Sequence, residues 1–255
     1  MPIIALTRDV SPAIVRCELT HLERTAIDPE IARAQHEGYE RVLASAGCVV
    51  QRVSACPGMA DSVFIEDIAV VFDELAVITR PGAESRRVET PAVADAIAHY
   101  RPVRRIELPA TLDGGDVLQV GRTVFVGSSG RTNAAGIAQL RSTLRPLGYD
   151  VREIEVRGCP HLKSAMTAPS DDLLLVNRAW IPGADLAGFD LLDVHPEEPY
   201  GANVLRIADR VIHAVGFPRT RARLEQRDIR VDTVDLSELA KAEGAVTCCS
   251  ILIPT

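Results

Sequence analysis

Several features that would assign a function directly are missing from this sequence. No apolar run is long enough to span a bilayer, and the opening segment MPIIALTRDV lacks the basic region of a signal peptide. Neither a P-loop nor a dinucleotide-binding glycine pattern is present, and the histidines show no spacing typical of metal ligands. We therefore expect no membrane partner, no bound metal and no nucleotide cofactor.

Basic charge is scarce relative to acidic charge. The chain has 28 Lys and Arg residues against 35 Asp and Glu residues, which gives a net charge of −7. This balance disfavours a nucleic-acid partner and suits a small cationic substrate. The six cysteines include no CxxC pair, and adjacent cysteines rarely bridge each other. We expect a reduced, cytoplasmic protein.

A repeated layout accounts for most of the 255 residues. Five segments each contain a polar residue, a strand-like run, a short turn and, except in the last segment, a second strand-like run. The equivalent polar positions are 47, 48, 42 and 45 residues apart: Glu66, Asp113, His161, Asn203 and Cys248. Four helix-like stretches, such as RTNAAGIAQLRSTLRPLG, lie between or before the segments. A period of this length argues for radial repetition of one supersecondary unit.

The two ends of the chain complete the repeat. The last segment lacks its second strand, whereas PIIALTRD at the start reads as a strand without a partner. Pairing these two strands would close a ring and remove the exposed sheet edges. We predict one α/β domain over residues 1–255 that forms a closed ring of five units. Five unrelated hairpins in an ordinary α/β domain are the alternative.

In a ring, the five polar positions would meet near the axis, and three of them are typical of nucleophilic catalysis. A Cys248 thiolate could be stabilised by His161, with Asp113 orienting the imidazole. In the strand-like run VTCCSILI, successive side chains alternate between faces, so only one of Cys248 and Cys249 could face the pocket. Parity alone does not say which one.

Additional acidic residues would make this pocket strongly negative: Asp61, Glu66, Asp67 and Asp116. Negative potential opposes thiolate formation in an empty site, and it suits a substrate that brings a guanidinium group. Simpler explanations exist for single residues. His161 could be a hydrogen-bonded loop residue, and Asp113 or Asp116 could build the turn around the GG pair.

Six stretches taken together carry a resemblance to a known family: DSVFIEDIAVV, ITRPGAESRR, TLDGGDVLQVG, FVGSSGRTNAAG, HLKSAMT and VTCCSILI. In this order they resemble the dimethylarginine dimethylaminohydrolase family, also called dimethylargininase, over nearly the whole chain. The resemblance implies a five-bladed α/β propeller of ββαβ units with pseudo-fivefold symmetry, within the guanidino-group-modifying superfamily. It also implies hydrolysis of Nω-methylated arginines to L-citrulline and a methylamine, with no metal or organic cofactor.

The resemblance assigns the catalytic roles in this sequence. The nucleophile would be Cys248, the first cysteine of TCCS, and Cys249 would pack beneath it. His161 of HLKS and Asp113 of LDGGD would complete the triad, although relatives may carry Glu at the latter position.

The resemblance also implies a set of substrate-binding residues. From DSVFIED, Glu66 and Asp67 would meet the guanidinium group, and Asp61 would lie near the histidine. Two arginines, Arg86 and Arg131, would bind the substrate α-carboxylate. Two further positions match loosely: Leu19 as a lid residue, and Ala242, where a larger apolar residue is expected.

Other activities share these residues. An arginine deiminase would use the same nucleophile, histidine and carboxylates, and an amidinotransferase would pass the amidino group to an amine instead of water. A catalytically silent binder of arginine-like ligands is a third alternative. The sequence leaves open the preference among methylated arginines and the oligomeric state, a homodimer included.

Overall fold

The computed structural model describes residues 2–55 and 57–255, and its strands form five three-stranded sheets. The strands are β1 (Ile3–Thr7), β2 (Cys48–Arg52), β3 (Ala69–Val71), β4 (Ala76–Ile78), β5 (Val103–Arg105), β6 (Val117–Val120), β7 (Thr123–Ser128), β8 (Asp150–Glu155), β9 (Met166–Thr167), β10 (Leu173–Val176), β11 (Asp190–Asp193), β12 (Val204–Ile207), β13 (Arg210–Ala214), β14 (Arg230–Val234) and β15 (Ile251–Pro254). The α-helices are α1 (Pro29–Ser45), α2 (Thr90–Ala98), α3 (Ala134–Leu144), α4 (Leu162–Ala165), α5 (Pro218–Glu225) and α6 (Ser237–Ala240).

Every sheet, here called a blade, has the same internal order. Its first strand pairs antiparallel with the second, and the chain then crosses over to a third strand parallel to the second. The sheets are β3-β4-β5, β6-β7-β8, β9-β10-β11, β12-β13-β14 and β15-β1-β2. The last sheet joins the two ends of the chain, with Ile3 opposite Pro254 and Leu6 opposite Ile251. The predicted closed, five-bladed α/β propeller of ββαβ units is therefore confirmed.

Two of the crossover helices begin at residues whose side chains cap the free N–H groups of the first turn. Asp28 caps α1 by accepting hydrogen bonds from the N–H groups of Glu30 and Ile31, and proline follows at the first helical position. Asn133 caps α3 in the same way through the N–H of Gly136. The predicted apolar stripe of α3, Ile137, Leu140 and Leu144, is buried. In the β9-β10-β11 blade, a 3₁₀ turn at Arg178–Trp180 lies on the crossover instead of an α-helix.

The apolar core is divided among the blades. Five buried clusters each combine residues of two neighbouring blades; one of them packs β12 and β13 residues against β1, α1 and the segment before β15. The first strand of every blade lines a central cavity of about 460 Å³. The residues that precede each first strand therefore lie near the axis, and these residues include the polar positions of the repeat. No helix among the described residues is long and apolar enough to cross a membrane.

One local prediction is wrong. Cys248 and Cys249 do not belong to a strand, because β15 begins only at Ile251 and the two cysteines lie in a turn. The N–H of Cys248 donates to the carbonyl of Ala245, a bond that curls the backbone before the strand can start. Strand alternation is therefore not what separates the two thiols. Cys249 is fully buried in the apolar core, whereas Cys248 is half-buried.

Candidate active site

The five repeat positions meet at the end of the axis where the first strands begin. Glu66 lies in a 3₁₀ turn before β3, Asp113 directly before the turn that leads into β6, and His161 directly before α4. Asn203 precedes β12, and its side chain is hydrogen-bonded to the Thr247 side chain and backbone N–H next to Cys248. Residues far apart in sequence thus form one site.

A small cavity of about 40 Å³ lies between Cys248, His161 and Asp113. The Nε2 atom of His161 is 3.1 Å from Oδ2 of Asp113, and its Nδ1 atom is 3.8 Å from Oδ1 of Asp67. Both ring nitrogens of the imidazole therefore face carboxylates. This is the arrangement that fixes the ring orientation and favours the imidazolium form.

The charge state of His161 follows from its neighbours. Burial opposes the imidazolium, but Asp67, Asp113 and Asp116 together outweigh it and raise the pKa of His161 to about 10. Asp116 does not contact the ring. Its carboxylate accepts hydrogen bonds from Ser129, Thr132 and the N–H of Leu162, so it holds the start of α4 in place. Burial raises the pKa of Asp116 to about 6.

The thiol of Cys248 has the opposite tendency. Burial and the carboxylates of Glu66 and Asp67 raise its pKa far above the ordinary thiol value. In the empty site the thiol is therefore neutral at physiological pH while His161 is cationic. A positively charged ligand next to the sulfur would reduce this penalty.

Both carboxylate oxygens of Asp67 accept hydrogen bonds. Arg86 donates to its Oδ2 atom at 2.5 Å, and the N–H of Gly115 donates to Oδ1 at 3.0 Å. Burial would raise the pKa of Asp67, but His161 and Arg86 outweigh burial and lower it. Asp67 is thus a fixed negative charge beside the imidazole.

Glu66 faces the central cavity, on the other side of its turn. Its carboxylate binds Nζ of Lys163 at 2.5 Å and the hydroxyl of Thr247 at 2.7 Å. Its own N–H donates to the carbonyl of Cys248 at 3.1 Å. Burial raises the pKa of Glu66 even though Lys163 opposes that shift. Glu66 and Lys163 both line the central cavity, on the side of the site away from His161.

The predicted placement of Asp61 needs a correction. The carboxylate beside His161 Nδ1 belongs to Asp67, whereas the carboxylate of Asp61 accepts the N–H of Glu18. Asp61 lines the same small cavity, and burial raises its pKa to about 6. The reason for the difference is that residues 65–68 form a 3₁₀ turn, which directs Asp67 inward between His161 and Arg86.

The two predicted carboxylate-binding arginines differ in their surroundings. Arg86 is buried, and its guanidinium binds Asp67, both carboxylate oxygens of Glu89 and two backbone carbonyls. Arg131 is half-buried, lines the small cavity and donates to the hydroxyl of Thr20 at 2.9 Å. Both lie at the site, and their role toward a substrate carboxylate stays a prediction.

The two loosely matched positions also lie beside the site. Ala242 is buried and lines the small cavity. Leu19 is half-buried and packs against the apolar cluster that contains Phe64 and Ala242. The cavity itself is lined by Glu18 of the same loop, so the segment around Leu19 covers the site.

Sequence reasoning missed several residues of the site. Lys163, the partner of Glu66, lies within the HLKS stretch, but a single lysine carries no signal of its own. Glu89 and Glu243 have no local signal at all, because their partners are backbone groups or buried charges. Among the described residues, one group has donor atoms close enough to hold a metal ion: Asp67, Asp113 and His161. In this structure the same atoms contact each other as ion pairs.

Comparison with known proteins now adds to this geometry. The chain is 41% identical over 249 residues to the dimethylarginine dimethylaminohydrolase of Streptomyces coelicolor, covering 97% of this chain and 95% of the relative. It is 34% identical over 227 residues to the enzyme of that name from Pseudomonas aeruginosa, covering 88% and 89%. The chain belongs to the dimethylarginine dimethylaminohydrolase family. The search against protein-family models finds no match.

Solved structures agree with this family assignment. A Pseudomonas aeruginosa dimethylarginine dimethylaminohydrolase, solved as a cysteine-to-serine variant with citrulline, superposes with a TM-score of 0.92 at 31% identity. That match covers 99% of this chain and the whole of the other. The N-terminal domain of a cyanobacterial arginine dihydrolase superposes with a TM-score of 0.87 at 18% identity, which shows a common fold.

Proposed function

We propose that this protein hydrolyses Nω-methylated arginines to L-citrulline and methylamine or dimethylamine, with Cys248 as the nucleophile. The observation that carries the proposal is His161, held between two carboxylates in the cavity that Cys248 lines. Membership of the dimethylarginine dimethylaminohydrolase family supplies the reaction. The five blades all contribute to this site, which supports one catalytic unit over residues 1–255.

The charge of the site matches a guanidinium substrate. Asp67 and Glu66 lie close enough to Cys248 to raise its pKa, and Asp67 lines the small cavity, so a cation bound in that cavity would lower the cost of forming the thiolate. The thiol proton is released to solvent when this cation binds. Substrate binding and nucleophile activation are thereby linked, and an empty site stays unreactive.

The first half of the reaction breaks the C–N bond. The thiolate of Cys248 attacks the guanidinium carbon and forms a C–S bond, which gives a tetrahedral adduct. The imidazolium of His161, whose pKa is about 10, then donates its proton to the departing amine. The C–N bond breaks, and a covalent thiouronium intermediate remains.

The second half uses the same side chain as a base. The neutral His161 takes a proton from water, which attacks the intermediate carbon, and the C–S bond breaks to release citrulline and the thiol. Asp113 orients the ring throughout, and the carboxylates stabilise the cationic species, an electrostatic contribution that is usually large.

The remaining predicted residues would hold the amino-acid end of the substrate. Arg86 and Arg131 line the same cavity, which supports a role for both in binding the α-carboxylate. Leu19 and Ala242 would cover this end, and Asp61 lies near it at the loop that carries Leu19.

The test is citrulline release from asymmetric dimethylarginine, with free arginine in parallel and Cys248→Ser as the control. Release from the methylated substrate, lost in the variant, is the expected result. Faster release from arginine would mean a deiminase. Activity that survives in Cys248→Ser would exclude this thiol as the nucleophile, and binding without turnover would indicate a silent binder.

A further inference from the structure

The loop that covers the site is held by one side chain from the opposite end of the sequence. We call residues 18–22 the lid segment. The N–H groups of Thr20, His21 and Leu22 all donate to Oε1 of Glu243, at 3.0, 2.5 and 2.7 Å. Three successive backbone donors aimed at one carboxylate oxygen form an anion-binding nest, and hydrogen bonds to an ionised acceptor are stronger than neutral ones.

The backbone at Glu243 is arranged for this contact. Its φ angle is +61°, in the left-handed region that is unfavourable for a residue with a Cβ atom. A glycine would relieve this conformation but would have no carboxylate. The position lies between Ala242, which lines the small cavity, and the turn that carries Cys248, so the lid contact is anchored beside the nucleophile.

Other contacts of the lid segment are made with the site itself. The N–H of Glu18 donates to Asp61, and Arg131 donates to the hydroxyl of Thr20. Leu22 lines a second, largely apolar cavity of about 440 Å³ beside Phe217 and Val246. Each of these contacts would break if the segment opened.

The closed lid leaves too little space for a substrate. The cavity beneath it measures about 40 Å³. Pockets for small-molecule ligands occupy about 300–1,000 Å³, and one water needs about 10–15 Å³ of cavity volume. An amino acid with a methylated guanidinium group needs more room than this cavity gives, so we expect the contacts of the lid segment to break before it binds.

We propose that Glu243 is the latch of the lid: its carboxylate holds residues 20–22 closed, releases them for substrate entry and holds them again over the bound substrate. The inference rests on the proposed function of the site. Glu243 also lines the small cavity, but its Oε1 atom is bonded to the three lid N–H groups, so we assign it a positioning role through the lid. Its loss should weaken retention of the substrate more than it slows the chemical steps.

The direct test is amide hydrogen exchange of the lid segment in Glu243→Gln. The substitution keeps the size of the side chain and removes its charge. We expect exchange at Thr20, His21 and Leu22 to become about tenfold faster, which corresponds to about 1.4 kcal/mol. Glu198→Gln is a matched control, since Glu198 also accepts backbone N–H groups, from Arg219 and Thr220, but lies away from the site. It should leave exchange in the lid unchanged.

Two further measurements separate a latch from a general effect on stability. Alkylation of Cys248 should be compared for a bulky and a small neutral reagent. Both reagents need the same thiolate, but only the bulky one needs an open lid. The ratio of the bulky to the small rate should therefore rise in Glu243→Gln. With asymmetric dimethylarginine, KM should rise about tenfold while kcat changes less than threefold. Glu243→Asp, which keeps the charge, should recover part of the KM.

Lid exchange and reagent selectivity that match the native protein would overturn the proposal. Both are measured without turnover, so they test the role of Glu243 in holding the lid even if the enzyme acts on another guanidino compound. A fall in kcat with unchanged KM and unchanged exchange would also overturn it, because Glu243 would then act on the chemistry.

Discussion

At the scale of single residues, the site separates the charge states of two groups that lie side by side. His161 gains from three carboxylates more than burial costs it, so the cationic form persists at physiological pH. Cys248 meets the same negative surroundings, but its charged form is an anion, so burial and charge act together against it. The same environment therefore favours the protonated form of both His161 and Cys248 until a cation binds.

This difference gives a prediction for the thiol of the unliganded protein. An ultraviolet thiolate titration, with Cys248→Ser as the reference for the other cysteines, should show Cys248 protonated at neutral pH. Its raised pKa shifts ionisation above the ordinary thiol range. A guanidinium ligand should move ionisation to lower pH. Full ionisation well below pH 7 without ligand would contradict the electrostatic account.

The sequence identified the residues of this site better than their contacts. The repeat placed Glu66, Asp113, His161 and Cys248 at equivalent positions. The structure brings Asp113, His161 and Cys248 into one small cavity, whereas Glu66 lines the central cavity. The placement of Asp67 beside His161, where Asp61 was expected, could not be predicted, because it depends on a 3₁₀ turn within the motif. The contact of Glu243 could not be predicted either, because its partners lie more than 220 residues away and are backbone groups without a side-chain signal.

At the scale of secondary-structure elements, the site depends on turns packed in close contact. Gly115 lies in the short 3₁₀ turn before β6, directly against His161. A Cβ atom at this position would be 2.7 Å from Nδ1 of His161 and 2.8 Å from Oδ1 of Asp67. The side chains of His161 and Asp67 thus occupy the volume that any other residue would need.

We therefore expect Gly115→Ala to lower kcat about 100-fold, because a displacement of about 1 Å in a catalytic group has effects of this size. Gly38→Ala is the matched control. Gly38 lies in α1, where a Cβ atom would meet only the end of the Arg41 side chain, at 3.7 Å. This control should keep its activity and gain about 0.5–1 kcal/mol of stability, since glycine weakens a helix interior. Steady-state kinetics and chemical denaturation measure both effects, and normal kcat in Gly115→Ala would contradict the packing argument.

At the scale of the whole molecule, the ring explains how both ends of the chain support a site at its centre. β1 and β15 are the second and first strands of one blade, so the chain termini lie where the other blades have a hairpin turn. In the β6-β7-β8 blade, the corresponding turn is formed by Gly121 and Arg122, which are exposed. The hairpin turns of the other blades are therefore structurally equivalent positions at which the chain could begin and end.

This equivalence predicts that a circular permutant will fold and keep its activity. Residue 255 would be joined to residue 2 through Asn-Gly, a sequence suited to a two-residue hairpin turn, and the chain opened between Gly121 and Arg122. Circular dichroism should be native-like, and Tm should fall by about 2–4 °C for each kcal/mol lost. An opening between Phe125 and Val126, which are buried in β7, is the control and should prevent folding. If the first permutant is purified without proteolysis and still does not fold, the hairpin turns of the blades are not equivalent sites for the termini. The native pairing of β1 with β15 would then have a role that closure of the ring does not explain.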